Sequence, residues 1–483
     1  MNKYIKKVIN LLLCFIMSLA FCGCNVTGDS GSDSGNSSSG SGEDKITYST
    51  YGSYWFNNHG YKVMPVGAYN SLPPAKYGYT KNFLTDENIF IDYAEAGVNT
   101  LMGLTDYVGL NQQDVLTALD YAYEYGMAYL LAYSGAADAN NSATIKSTLS
   151  RVMYHDSFAG IMLSDEPGKV MFEKLATARN AFSIALSDVD GKLYHVNLFP
   201  TYASSKQLWF RSYASDDVLP VESYSYEQYL KDYMQTYNPQ VLSYDFYPIT
   251  GSFPKLANGY FENMSVIRST AAEANIPFWT YIQTCSFANG QRLSTQADLN
   301  WNVNTCLAYG AKGIQYFCGV NPMASGGEHF DGSMFDINGN KTEMYDRVKN
   351  INKTIAAVDE YLMCAKSKGV IVAGVMPQLN GGENRMSIPE KDLLSSFNEL
   401  SSVVSNHALV GCFDYNGKTA LYVVNNAVAD DTVENFTANT DVTLTFGKSV
   451  SGTVITAAKK TDFNGTTLTE NLDAGEAFLV VLN

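Results

Sequence analysis

The chain is 483 residues long, 46% hydrophobic, and carries a formal charge of −16. That length allows two or three domains with a full apolar core, and the acidic balance excludes nucleic acid and anionic membrane surfaces as attractive partners. Aromatic residues make up 13% of the chain, with 34 Tyr against 32 Lys plus Arg, which suits a protein that meets sugars or other neutral polar ligands through flat rings; tyrosine-rich core packing is the alternative.

Residues 1–23 carry Lys3, Lys6 and Lys7, then the apolar run Val8 to Ala20, then FCGC. These are the n- and h-regions of a secretory signal, too short for an ordinary membrane-spanning helix. The stretch resembles a bacterial lipoprotein signal, in which the lipidated cysteine follows a small residue. Cys24 follows Gly23 and fits better than Cys22, although Phe21 departs from the usual Leu. The resemblance implies lipidation at Cys24, attachment to the membrane through that lipid, and a location outside the cytoplasm at the bacterial cell surface. Asn25 to Glu43 is almost wholly Gly, Ser, Asp and Asn, so residues 24–46 read as a flexible tether. A plain secreted protein with a disordered head is the other reading.

Apolar strand patterns then alternate with helical ones. Strands are expected at Lys62–Ala68, Asn99–Gly103, Ala128–Tyr133, Phe158–Leu163, Leu193–Leu198, Gln240–Tyr244, Phe278–Ile282 and Gly313–Phe317. Amphipathic stretches between them include Gln113–Tyr125, Val170–Leu186, Tyr226–Tyr237, Asn263–Ala274 and Thr295–Tyr309. AEAGVNT and AYGAKGI each end a helix on Gly and lead directly into a strand. Eight such units predict a (β/α)8 TIM barrel over 47–366. A doubly wound open sheet is the alternative, but no GxGxxG opens a helix.

After the closing helix, Met344–Leu362, the pattern changes. Gly369–Val375, Leu409–Asp414, Thr419–Asn425, Asp441–Phe446 and Ala477–Leu482 are β-rich runs separated by NG, DD and GK turn signals. They predict a small antiparallel β-sandwich domain over 367–483.

In FAGIMLSDEP, Phe158 to Pro167, an apolar run ends on two adjacent carboxylates and a proline. It reads as an interior strand of a parallel sheet. The chemistry of such barrels sits at the carboxyl ends of the strands, which makes Asp165 and Glu166 catalytic candidates. Successive residues on an extended chain point apart, so Asp165 has a second reading as a cap of the next helix.

SDEP at the fourth strand, SYDFYP at the sixth, FWTYIQT at the seventh, GAKGIQYF at the eighth and the segment FDINGNKTEMYDRVKNIN together resemble bacterial glycoside hydrolases of the β-galactosidase-like clan. Those enzymes have a catalytic (β/α)8 barrel and a trailing β-domain. The resemblance implies cleavage of glycosidic bonds in a polysaccharide or oligosaccharide by a pair of carboxyl groups, with Glu166 as the acid and no cofactor. Asp165 stands where the clan usually has Asn. The clan's nucleophile, a Glu ending the seventh strand, is replaced by Gln283, and an amide cannot take that role. Asp245, ending the sixth strand, is the nearest substitute; its other reading is a carboxylate that orients Arg268 or a Tyr. A barrel that has lost its nucleophile and only binds carbohydrate is the alternative function.

Tyr69, His195, Asn197, Tyr247, Gln283 and Tyr316 lie at or near strand ends as candidate hydroxyl binders, and Trp209, Phe287 and Phe317 as candidate stacking surfaces, with barrel lining the alternative for each. Glu328, His329 and Asp331 in GGEHFDG form a candidate lid. Asp336 in DINGN reads as a turn, its Gly being too early for a calcium loop. Cys285, Cys306, Cys318, Cys364 and Cys412 are widely spaced and odd in number, which argues against a disulfide framework, and the five histidines form no metal-ligand spacing.

Overall fold

In the barrel the apolar strand runs are buried on both faces, and alternate residues separate into an interior and a helix-facing layer. The computed structural model describes residues 48–57, 59–133, 135–211, 218–251, 256–288, 290–324, 328–379, 384–428 and 439–483. Cys24, the signal and the tether lie outside them. Eight parallel strands close on themselves: β1 (Val66–Tyr69), β2 (Thr100–Asp106), β3 (Ala128–Ala132), β4 (Phe158–Asp165), β5 (Leu193–Leu198), β6 (Leu242–Asp245), β7 (Phe278–Gln283) and β8 (Ile314–Phe317). Each expected strand is present. The helices that follow them in turn are α1 (Glu87–Glu95), α2 (Gln112–Glu124), α3 (Ser142–Leu149), α4 (Phe172–Ala185), α5 (Tyr226–Tyr237), α6 (Tyr260–Ala274), α7 (Gln296–Tyr309) and α8 (Glu343–Leu362).

Local chemistry explains where helices start and stop. Ser225 caps α5 by accepting from the Gln228 N–H, and Asn238 ends it in the left-handed conformation at φ 51°. Tyr226, Tyr229, Leu230, Tyr233 and Tyr237 form the stripe α5 buries. Thr295 and Asp298 form a capping box at the start of α7.

A small antiparallel meander, Tyr48–Tyr51, Tyr54–Asn57 and Lys62–Val63, closes the bottom of the barrel. Its Trp55 is fully buried edge-on to Trp279 of β7, 5.3 Å between ring centroids. Leu193, Val241, Ala128 and Ala159 complete that floor, which leaves the carboxyl-end mouth as the open side.

The C-terminal region is a seven-stranded antiparallel sheet built from β9 (Lys366–Gly374), β10 (Leu400–Val404), β11 (His407–Tyr415), β12 (Lys418–Asn425), β13 (Thr440–Ile455), β14 (Lys460–Leu472) and β15 (Ala477–Leu482). Their order is β9-β11-β12-β15-β13-β10, with β14 paired to β13. This is the expected antiparallel β-domain, with an interior of Ile371, Leu400, Val410, Leu421, Val442, Leu444, Phe478 and Val480. Helix α7 lies between barrel and sheet. The Trp301 indole donates to Asn426 Oδ1 (2.8 Å), Asn304 Nδ2 to the Gly475 carbonyl (2.7 Å), and the Tyr422 hydroxyl to Asn304 Oδ1 (2.7 Å).

Cys285, Cys306, Cys318 and Cys412 are free and buried. Among the described residues no helix is long and apolar enough to cross a membrane.

Candidate active site

Three inward positions at neighbouring strand ends make the polar half of the mouth. Asp165 of β4 pairs in register with Asn197 of β5, and Asn197 with Ser243 of β6, two residues before Asp245. One amide links the two acids: Asn197 Nδ2 donates to Asp165 Oδ1 and to Asp245 Oδ1, each at 3.2 Å. Below, the Ser243 hydroxyl donates to Asn197 Oδ1 (3.0 Å), and Gln315 Nε2 donates to Ser243 Oγ (2.9 Å). Asp165 therefore faces the mouth, and α4 starts at Phe172 with Met171, not Asp165, at its N-cap. Arg268 pairs with Asp392 instead of Asp245.

Glu166 comes next in the chain and would point away from the mouth if β4 stayed extended. Its backbone is left-handed instead, at φ 45°, an uncommon state for a residue with a Cβ. Its N–H donates to the Asn197 carbonyl (2.8 Å), which fixes that bend against β5. The bend lets consecutive residues serve one compartment, and their electrostatics agree. Burial and then the Asp245 and Asp165 carboxylates push the Glu166 carboxyl well above the usual range, with Arg211 opposing. Asp245 is raised by burial and then by Asp165, while the Asn197 amide pulls it back. Asp165 is raised by burial, against Asn197 and Arg211. Solvent reaches Asp165, but the concave walls displace most of the water that would stabilise its charge.

The opposite half of the mouth is aromatic. Phe317 of β8 stacks on Tyr69 of β1 (5.8 Å, 22°) and on Phe287 beyond β7 (5.6 Å, 8°). Tyr247, just past β6, meets Phe287 at 5.3 Å and Phe317 at 5.8 Å, and Phe330 packs edge-on against both Phe287 and Phe317. Phe287 and Phe330 are paired across the two-strand ribbon Ser286–Phe287 with Phe330–Asp331. Phe330 carries no strand-end signal in the sequence, because it stands among the polar residues Glu328, His329 and Asp331, which are exposed beside it.

Tyr69, Tyr247, Phe287 and Phe317 thus come together in one aromatic cluster. His195, Gln283 and Tyr316 are 0% exposed, which corrects their reading as hydroxyl binders. His195 has the right parity but lies one layer below Asn197, over Trp279, and burial lowers its pKa to about 4, so it stays neutral. Gln283 donates to the Cys285 carbonyl (3.0 Å) and the Arg292 carbonyl (2.5 Å) and so braces its own loop. Tyr316 has the wrong parity: it faces α8, where its hydroxyl donates to Asn352 Oδ1 (2.5 Å). Trp209 packs against Tyr224 at 4.8 Å and under Lys169 instead of joining the aromatic wall. Asn197 has both amide hydrogens on carboxylates, leaving none for a sugar hydroxyl.

Asp336 accepts from the Asn338 and Asn340 N–H groups, the expected turn. Among the described residues no group of three or more His, Cys, Asp or Glu is arranged to hold a metal ion. A cavity of about 450 Å³ between Thr250, Leu256, Ala257, Asn258, Leu379 and Asn384 shares no lining residue with the mouth and contains no carboxylate.

No protein-family model matches the chain, and no curated protein matches it. Similar solved structures include a β-galactosidase from the psychrophilic Marinomonas ef1, at 10% identity over 65% of this chain and 63% of that one, with a TM-score of 0.41. They also include a β-glucuronidase from Ruminococcus gnavus (11%, 64% and 52%, 0.40) and a family 39 glycoside hydrolase from Bacteroides cellulosilyticus (12%, 87% and 81%, 0.41). The chain spans less than two thirds of the length of the first two. At these identities and scores the likeness carries no argument about chemistry, which rests on the residues of the mouth.

Proposed function

We propose that the chain is a glycoside hydrolase, held at the bacterial cell surface by a lipid on Cys24, that cleaves a polysaccharide or oligosaccharide in the mouth of a barrel spanning 47–366. The observation that carries this reading is that Glu166 shares one compartment with Asp245 and Asp165, whose carboxylates, after burial, raise its affinity for a proton. A carboxyl kept protonated into the neutral range suits a general acid. Glu166 gives its proton to the glycosidic oxygen as the bond from that oxygen to the anomeric carbon breaks. Asp245, ionised, either attacks that carbon or takes the proton of an attacking water. Which it does is read from the anomer first released, by NMR. The aromatic wall of Tyr69, Phe287 and Phe317 offers a flat face for the sugar ring.

Gln283 favours a second reading, a surface lipoprotein that binds carbohydrate without cleaving it, since its amide occupies the strand end where the related clan carries its nucleophile. A glycan panel presented to the wild-type protein and to Glu166→Gln separates the two. Turnover that the substitution abolishes supports hydrolysis, and binding without turnover in both proteins supports the second reading. No binding in either overturns both.

A further inference from the structure

Asn197 stands out because every polar atom of its side chain is engaged inside the protein. The residue is 4% exposed, and Ser243 and Gln315 beneath it are each 1% exposed. The Ser243 hydroxyl has one proton and accepts from Gln315, so that proton goes to Asn197 Oδ1 and the NH2 end is forced toward the carboxylates. Both hydrogens are then used, one on each acid. A residue that merely filled the barrel would not need its amide set in one sense.

We infer that Asn197 is a positioning residue that joins Asp165 and Asp245 into one hydrogen-bonded unit and keeps both ionisable, its amide locked from below by Ser243 and Gln315. The inference rests on the reading of Asp245 as the working second carboxylate. The surroundings explain the need. Glu166 and Glu328 add negative charge on the same side, and Arg211 is the cation that offsets it. The phenols of Tyr69, Tyr226, Tyr244, Tyr247 and Tyr281 lie near the two Asp residues and stay neutral. His195 below is also neutral. Among the described residues the Asn197 amide donates to both Asp carboxylates at once.

The test is a carboxylate titration that needs no substrate. Protein labelled with 13C at the Asp carboxyl carbon is titrated by NMR, and Asp165→Asn and Asp245→Asn assign the two signals. Asn197→Ala is expected to raise both midpoints by about one to two pH units, since each ion loses an amide donor. Ser243→Ala, which unlocks the amide without removing it, is expected to raise both by a smaller amount, and it provides the decision if Asn197→Ala does not fold. Midpoints that stay in place in Ser243→Ala and in a folded Asn197→Ala, or that fall, overturn the inference. Midpoints that rise in a protein with no turnover on any glycan uphold the inference and sink the hydrolase reading.

Discussion

The two halves of the barrel mouth follow the same alternation rule and carry opposite chemistry. On β4, β5 and β6 the last inward residues are Asp165, Asn197 and Asp245, tied together by one amide. On β8 and β1 they are Phe317 and Tyr69, stacked on each other. Burial in the concave mouth is the first cause of the raised proton affinity of all three acids. An enzyme that must keep a carboxylic acid protonated gains from placing it across from a wall that cannot hydrogen-bond.

This division predicts different kinetic signatures for the two halves. The largest effect is expected in the polar half: Glu166→Gln should lower kcat by about 10²- to 10⁴-fold on the best glycan substrate, and a variant that keeps half of its turnover would remove Glu166 as the acid. Phe317→Ala, in the aromatic half, should act on binding, raising KM about tenfold, a loss of about 1.4 kcal/mol, while kcat changes less. A fall in kcat with KM unchanged would break the distinction. The pH profile comes third. In the proposed roles Glu166 would work protonated, so activity should fall as pH rises through its value, and Asp245 would work ionised, so activity should fall as pH drops through its value. Both are raised, so the acidic limb of kcat/KM should lie well above the ordinary carboxylate value of about 4, and a limb near that value would contradict the shared compartment.

The smallest effect is on stability. A carboxyl whose pKa is raised by folding favours the native state fully at pH below its unfolded value, and that contribution is lost as pH rises through the folded value. Glu166→Gln cannot ionise, so its Tm should exceed that of the wild type by about 1 to 3 °C under alkaline conditions, with the difference vanishing near pH 4. A Tm gain that persists in acid would place its cause elsewhere than the charge.

Periodicity made the barrel legible, because eight buried strands alternate with amphipathic helices. The C-terminal sheet was less so. Lys460–Leu472 was missed since it pairs with β13 alone and carries mostly exposed Thr, Asn and charged residues, with little alternation to read. Asp441–Phe446 was cut short because GK at 447–448 has the look of a turn. The chain runs on to Ile455, and residues 446–449 form a bulge between the pairs Thr445–Thr467 and Val450–Gly465. The NG at Asn416–Gly417 is a true hairpin turn, both residues at positive φ between Tyr415 and Lys418. At the site, strand-end logic reached Asp165, Glu166 and Asp245. It did not reach depth or sense: His195 lies one layer too low, Tyr316 one residue out of phase. Ser243 and Gln315, each two residues before a mouth residue, were open to the same parity argument. The left-handed bend at Glu166 had no counterpart in residue type, since Glu is an uncommon occupant of that conformation.

Helix α7 has a further consequence. From Trp301 to Tyr309 every side chain is buried, because one face packs on the barrel and the other on β11 and β12. Neither architectural half owns that helix. Cutting the chain near residue 366 would strip a wet, amide-bearing and indole-bearing surface bare, and the freed barrel would be expected to aggregate rather than to persist as a smaller enzyme. Heating the intact protein should accordingly melt both halves together, in one cooperative calorimetric peak.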